Sequence, residues 1–313
     1  MVFLVLAVAC SVGIAALFNL AERRQLDRTA LLTVNYAAAA LLAVGLQGAT
    51  PMSGVTLPLV ALGVGQGVLF IVGFWLFSVA IRQAGMGLAA GVMRLSVLIP
   101  VLASWGIWGE TPSGLQLVGL VLGGVAFFLV ARPAPPVSTP VPAPVKPADG
   151  EPADEEPAGG AAAGGAAAGP GIGVALLLGL LFLSGGAVDV LNKAFSKGFS
   201  ETVPKPTFLL FVFGVAFVVG LAMVVVQGLR TQRWPRGAVL GWGVVVGLVN
   251  YGSADFFLRA VDVLPAPFVF PANSVSIVLG AALVGFVVWG ERISRINAAG
   301  LVLALVALVL LAR

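Results

Sequence analysis

The residues most able to do chemistry in this sequence are ionisable and amide side chains inside long apolar stretches. Arg94 lies in the middle of GVMRLSVLIP, and Asp189, Asn192 and Lys193 occupy positions i, i+3 and i+4 of VDVLNKAFSK. In a helix this spacing places all three on one face. Ionisable groups cost at least a few kcal/mol at membrane depth, so they tend to face a wet cavity or a partner. These side chains are therefore candidate solute-binding residues.

Local ion pairs are the plainer interpretation for several of these positions. Lys193 either pairs with Asp189 or extends to the lipid headgroups near the helix end. Asp255 and Arg259 repeat the i, i+4 spacing just after Tyr251, and a local pair is favoured there because Arg259 is nearly interfacial. Asp189 lies deeper in its stretch, which makes it the best candidate for facing a cavity and for carrying a coupled proton.

The tripeptide Trp-Gly-Glu ends two of the apolar stretches, at 108–110 and 289–291. A carboxylate at such a place can accept hydrogen bonds from the free N–H groups of the next helix. Capping by Glu110 and Glu291 is therefore favoured over proton coupling.

Cysteine and histidine usage argues against metal chemistry. Cys10 is the only cysteine and histidine is absent, which excludes the usual zinc sites. The sequence also has no glycine-rich phosphate loop, carboxylate dyad or nucleophile elbow. It predicts no enzyme activity, no metal and no cofactor.

Composition places the chain in a membrane. Of 313 residues, 59% are hydrophobic and only 10% are charged, and the mean hydropathy is +1.08. A soluble domain does not have this balance. The 17 Lys and Arg residues are scattered at the ends of apolar segments, where they act as topology signals. Membrane lipid is the expected environment, and nucleic acid is not an expected partner.

Ten stretches have the length of a bilayer span, about 20 residues. The predicted spans cover residues 2–20, 30–47, 60–81, 85–108, 114–131, 172–192, 207–228, 238–258, 265–289 and 297–312. Pro100 and Pro271 lie inside spans, and each is expected to weaken its helix. The fold class predicted is an all-α membrane protein of ten transmembrane helices.

A segment rich in Pro, Ala and acidic residues divides the chain. Residues 132–170 cannot form a packed core and are predicted to be a disordered linker, with a partner-binding tail as the alternative. The linker separates residues 1–131 from residues 171–313.

The two flanking halves resemble each other. When the numbering is shifted by 181, the segment 108–130 matches its counterpart at 11 of 23 positions, and a shift of 180 matches Gly63 and Gly67 with Gly243 and Gly247. Asn19 matches Asn192 at a shift of 173, which predicts matched roles, either bracing a helix end or contacting solute. Shifts that rise in chain order are typical of a duplication. The small-xxx-small glycine pairs predict close helix contacts.

Five helices per half is an odd number, so the second half is predicted to have the opposite orientation in the membrane. Such inverted repeats form a pocket near the bilayer midplane that opens to either side. In the ninth span Asn273, Ser274 and Ser276 lie at the level that Arg94 occupies in the fourth, so the two polar clusters are expected to meet between the halves.

The charge distribution predicts an orientation. The odd-numbered loops carry 11 Lys and Arg residues against 5 in the even-numbered loops and the C-terminus, with Arg94 set aside. The positive-inside rule then places the linker in the cytoplasm and both termini outside.

The chain resembles the EamA-like members of the drug/metabolite transporter superfamily over nearly its whole length except the linker. The resemblance is carried by VNYAAAALLA, VDVLNKAFSK and LVNYGSADFFLRAV, and by the two segments that contain WGE, MGLAAGVMRLSVLIPVLASWGIWGE and FVFPANSVSIVLGAALVGFVVWGERIS. It implies a solute cavity lined mainly by the third, fourth, eighth and ninth spans. The cavity side chains it implies are Arg94, Ser96, Asn273, Ser274 and Ser276. It also implies that both termini are cytoplasmic, against the charge count.

The function expected is alternating-access secondary transport of a small metabolite, as an exporter or exchanger, by a multi-pass protein of a bacterial inner membrane. The partners expected are a small-molecule substrate and lipid, with the protein a monomer or homodimer. Two alternatives are an integral-membrane enzyme acting on a lipid-linked substrate and a non-transporting membrane scaffold.

Overall fold

The structure is a computed structural model that describes residues 1–47, 52, 54–130, 172–232, 234–235, 237–290 and 294–313. All regular structure in these ranges is helical. The predicted linker at 132–170 and the second carboxylate of the Trp-Gly-Glu motifs, Glu291, lie outside the described residues.

Eleven helices follow one another in the described part of the chain. They are α1 Val2–Arg23, α2 Arg28–Leu46, α3 Leu57–Ala84, α4 Met86–Leu95, α5 Leu98–Trp108, α6 Gly114–Val130, α7 Ile172–Gly198, α8 Lys205–Thr231, α9 Ala238–Val263, α10 Ala266–Trp289 and α11 Arg295–Leu311. They correspond in order to the ten predicted spans, with several ends that differ by a few residues, except that the fourth span is made of two helices, α4 and α5. Helix α7 extends to Gly198, beyond the predicted end of its span at Asn192.

Eight segments in the described part of the chain are long and apolar enough to cross a membrane, one of them being Leu88–Trp108 across α4 and α5. Two shorter apolar helices, α6 and α11, have 17 residues each and pack against one another. The chain is therefore an all-α, multi-pass integral membrane protein.

Pro100 interrupts the fourth span, as the sequence predicts. Its ring nitrogen cannot donate to the carbonyl of Ser96 four residues earlier. That carbonyl instead accepts the N–H of Ile99 at 3.0 Å, and the chain tightens at Ser96 and Val97 between α4 and α5. Pro271 behaves differently, because α10 runs through it without a break.

The glycine of each Trp-Gly-Glu motif ends a helix. Gly109 after α5 has φ of 68° and Gly290 after α10 has φ of 65°, the left-handed conformation that glycine adopts without a steric penalty. The N–H of Glu110 then turns back to the carbonyl of Ser104 at 3.1 Å. This turn fixes the place from which the Glu110 side chain extends.

The predicted glycine pairs lie at two equivalent helix crossings. A Cβ added to Gly63 of α3 would lie 2.5 Å from the Cβ of Phe211 on α8, and one added to Gly243 of α9 would lie 2.5 Å from the Cβ of Val34 on α2. Phe211 and Val34 are themselves matched at a shift of 177, between the shifts of 173 and 180 seen elsewhere. The close approach requires glycine at both crossings.

The helix ends form two faces of the bundle. Face A holds the ends of α5, α7 and α9 and the starts of α8 and α10, which are joined by Glu110, Lys193, Lys205, Asp262 and the N–H of Ala266. Face B holds the ends of α1, α8 and α10 and the starts of α2 and α9. Their contacts there are Asp27 with Gln227, Arg24 with Trp242, and Arg23 with Trp289.

Candidate functional site

A polar cluster joins α3, α4 and α7, and in it Gln66 and Asn192 are buried while Arg94 and Asp189 are half-buried. Arg94 of α4 and Asp189 of α7 are close enough for their charges to interact, although they do not form a direct ion pair. One turn along α7, the Asn192 side chain lies close enough to Asp189 to interact with its carboxylate. Asn192 Oδ1 also accepts from Gln66 Nε2 of α3 at 2.9 Å. The sequence predicted that Arg94, Asp189 and Asn192 face the interior, and the structure brings these three together.

Gln66 is the member of this cluster that sequence reasoning missed. Its side chain is only 2% exposed, and its Oε1 atom has no hydrogen-bond partner in the described part of the chain. A buried unpaired amide oxygen is costly and marks a place where a ligand or water can bind. The available signal was its position in an apolar helix between Gly63 and Gly67, which the glycine pattern obscured.

An aromatic layer joins α2, α3, α8 and α9. Tyr36 is stacked with Phe70 and with Phe213, at ring-centroid distances of 6.4 and 6.3 Å, and Phe213 also contacts Tyr251 at 6.4 Å. Tyr36 and Phe213 are matched between the halves at a shift of 177, like the residues at the glycine crossings. Tyr251 is 4% exposed, and its hydroxyl finds no partner among the described side chains. The layer gives the bundle an apolar centre with an unpaired hydroxyl in it.

The sequence predicts that Arg94 meets the polar residues of α10, but the described residues form no hydrogen bond between them. Asn273, Ser274 and Ser276 are half-buried on α10, and no hydrogen bond between described residues joins them to Arg94. The Oδ1 atom of Asn273 is buried and unpaired in the same ranges. The charge that the structure brings to Arg94 comes from α7.

Three other predicted cavity residues have local partners. Ser96 donates to the Met93 carbonyl at 2.6 Å and packs closely against Gly185 of α7. Asn19 accepts from Arg23 at 2.9 Å on the exposed end of α1, so its environment differs from that of its buried counterpart Asn192. Asp255 forms the local pair expected from its spacing, at 2.6 Å from Arg259.

Glu110 binds the other half of the molecule. Its Oε1 atom lies 2.8 Å from Lys193 Nζ and 3.1 Å from Lys197 Nζ. Its Oε2 atom accepts the N–H of Ala266 at 2.7 Å, at the start of α10. Glu110 therefore caps α10 and not the next helix, α6. Lys193 pairs neither with Asp189 nor with lipid headgroups, because the turn after α5 places Glu110 nearer.

Burial and charge oppose each other at Glu110. Burial would raise the pKa of the Glu110 carboxyl, but hydrogen bonds from Lys193, Ala266 and Lys197 outweigh it and lower the pKa below its ordinary value of 4.5. The carboxylate is therefore charged at neutral pH, and it neutralises Lys193, whose side chain is 1% exposed.

The described residues contain no group of three or more Cys, Asp or Glu side chains placed to hold a metal ion.

Comparison with known proteins supports the fold and names no activity. No family model matches the chain. An uncharacterized protein of Haemophilus influenzae (strain ATCC 51907 / DSM 11121 / KW20 / Rd) is 24% identical over 318 residues, which cover 97% of this chain and 95% of that protein. A protein of known crystal structure has the same fold, with a TM-score of 0.67 at 15% identity over 99% of this chain and 94% of its own.

Proposed function

We propose that this protein is an alternating-access secondary transporter of a small metabolite, built from two inverted five-helix repeats and related to the EamA-like drug/metabolite transporters. Its solute site is the polar cluster of Arg94, Asp189, Asn192 and Gln66. The membrane proposed is a bacterial inner membrane, and the direction is export or exchange.

The observation that carries the proposal is the equivalence of helix contacts in the two halves. α3 packs on α7 and α8, and α9 packs on α1 and α2, which are the same crossings with the halves exchanged. The contacts of Gly67 with the carbonyl of Val212 and of Gly247 with the carbonyl of Asn35 also correspond, since Val212 and Asn35 are matched at the same shift of 177. Inverted repeats of this kind are typical of secondary transporters.

The polar cluster supports transport because it is incomplete as a structural element. Arg94 and Asp189 attract each other without direct contact, and Gln66 keeps a buried acceptor unpaired among the described residues. A cluster that served only to hold helices together would satisfy its own groups. A polar solute that reaches the cluster completes it, with the guanidinium meeting an anionic group and the amides donating or accepting hydrogen bonds.

Transport is tested by finding a cargo and measuring its flux. Purified protein is screened against a metabolite library by thermal shift, and the stabilising compounds are assayed for uptake into proteoliposomes. We expect Arg94→Ala to abolish flux with expression intact. The matched control is Arg82→Ala, because Arg82 is an exposed arginine at the end of α3. If Arg94→Ala retained wild-type flux, Arg94 would not be part of the solute site.

A further inference from the structure

We infer that Glu110 and the lysines of α7 form a latch that holds face A of the bundle closed. The latch is the group of Glu110, Lys193, Lys197 and the N–H of Ala266. Glu110 belongs to the first half of the chain and its three partners to the second, so the contact ties the halves together. Its role in transport rests on the proposed function, whereas the closure itself does not.

The latch has the chemistry of a strong and reversible contact. One carboxylate accepts three donors within 3.1 Å, and two of these donors are cations. Charge-assisted hydrogen bonds are shorter and stronger than neutral ones. Lys193 is almost fully buried, so removal of Glu110 leaves an uncompensated charge. The closed arrangement therefore depends on Glu110.

A second set of contacts lies next to the latch. Asp262 of α9 accepts from Ser196 of α7 at 2.6 Å and lies 2.5 Å from Lys205 of α8. These contacts bring α7 against α9 at face A. The equivalent pair, α1 with α3 at face B, has at most a marginal contact.

Charge explains why the two faces differ. The shifts that match the halves pair Ser196, Lys197, Lys205 and Asp262 of face A with Arg23, Arg24, Arg28 and Arg82 of face B, respectively. All four arginines are exposed, and three of them lie over the rings of Trp289, Trp242 and Phe74. The described carboxylates of face B, Glu22 and Asp27, form no ion pair with described residues. Cations meet carboxylates at face A, whereas arginines occupy the equivalent positions at face B.

Helix α7 links the latch to the proposed solute site. Asn192, in the polar cluster, and Lys193, in the latch, are consecutive residues, and Lys197 follows one turn later. A rigid helix carries a shift at one end of this segment to the other. A solute that displaces Asp189 or Asn192 therefore moves Lys193 relative to Glu110 and releases face A.

The latch is tested by thiol accessibility. Cys10→Ser removes the only cysteine, and Leu258→Cys places a reporter one turn deeper than Asp262 on the same side of α9, where Leu258 is 1% exposed. The rate of labelling by a membrane-impermeant maleimide is measured in proteoliposomes. We expect Glu110→Gln to raise this rate about tenfold, in the range of typical coupling between two conformations, and Lys193→Met to act in the same direction.

Two controls separate opening from damage. Asp255→Asn breaks an ion pair of α9 that does not cross the halves, so it should leave the labelling rate unchanged. A second reporter, Ala39→Cys, lies fully buried on α2, away from face A, and should stay unreactive in Glu110→Gln. An unchanged rate at 258, or a rise at both 258 and 39, overturns the latch. A rise at 258 alone in a protein without flux supports the latch and counts against transport.

Discussion

At the scale of single residues, the environment decides what each polar side chain does. Asp255 lies within α9 and pairs with Arg259 on its own helix, whereas Glu110 follows the end of α5 and binds two lysines and a helix start across the bundle. The difference lies in the left-handed turn at Gly109, which directs Glu110 away from α5 and α6. The interaction of Glu110 with the second half is a consequence of that turn.

The Glu110 contacts predict a defined pH dependence of stability. A carboxyl whose pKa is lower in the folded state stabilises the fold above its ordinary value of 4.5, and the contribution is lost as pH falls through the lowered pKa. We expect Glu110→Gln to lower the free energy of unfolding by about 3 kcal/mol at neutral pH, since a buried cation loses its partner. The difference in the free energy of unfolding between wild type and Glu110→Gln should stay constant from pH 8 to pH 6.

The measurement is the melting temperature of wild type and Glu110→Gln in detergent between pH 8 and pH 4. The other charged groups around this carboxyl are Lys193, Lys197, Asp262 and Lys205. If the two melting temperatures became equal by pH 6, the carboxylate would not be held by these cations.

At the scale of helices, backbone contact at glycine sets the crossings of α3 with α8 and of α9 with α2. A Cβ at Gly67 would lie 2.5 Å from the carbonyl oxygen of Val212, and a Cβ at Gly247 would lie 2.5 Å from that of Asn35. The obstacle in both cases is backbone, which cannot rotate away. Tight contact between small residues is a main source of helix association in lipid.

Substitution at these crossings should therefore be destabilising in equal measure. We expect Gly67→Ala and Gly247→Ala each to cost about 1–3 kcal/mol, the usual effect of overpacking. Gly65→Ala and Gly241→Ala are the controls, because no atom lies within 4 Å of their added Cβ. These controls should be neutral or stabilising, since alanine favours helix over glycine by about 1 kcal/mol. The measurement is the melting temperature of each variant in detergent. Equal changes in melting temperature at all four positions would contradict close packing at the crossings.

At the scale of the whole molecule, the two halves make the same crossings but their ends differ. Salt bridges and the α7 to α9 contact are concentrated on face A, and the salt bridges of Glu110 join the two halves there. Arginines on aromatic rings occupy face B. The symmetric framework carries an asymmetric set of charges, which is how one molecule can favour a single closed face.

The proposed inverted arrangement makes a direct prediction about sidedness. Gln25 and Gly198 are equivalent positions, matched by the same shift as Asn19 and Asn192, and both are exposed. In a Cys10→Ser background, we expect Gln25→Cys and Gly198→Cys to react with an impermeant maleimide from opposite sides of the membrane. Right-side-out and inside-out vesicles provide the two measurements. Labelling of both positions from one side would exclude inverted repeats.

The sequence by itself determined the membrane class, the helices and the internal correspondence of the halves. Apolar length alone predicts a span, because a helix in lipid satisfies its own backbone hydrogen bonds. Local chemistry also predicts the weakening of the helix at Pro100, the end of a span at the Trp-Gly-Glu of 108–110 and the pair of Asp255 with Arg259. Each of these features depends on residues within about one turn, so the order of residues is enough to foresee them.

Only the tertiary structure decided which distant side chains meet. Gln66 joins Asn192 across 126 positions of sequence, and Glu110 reaches Lys193 and the start of α10. The rotation of each helix about its axis selects these partners, and that rotation is set by small residues packing against a neighbouring backbone. Because lipid and protein interior are both apolar, hydrophobicity does not reveal which face of a helix turns inward.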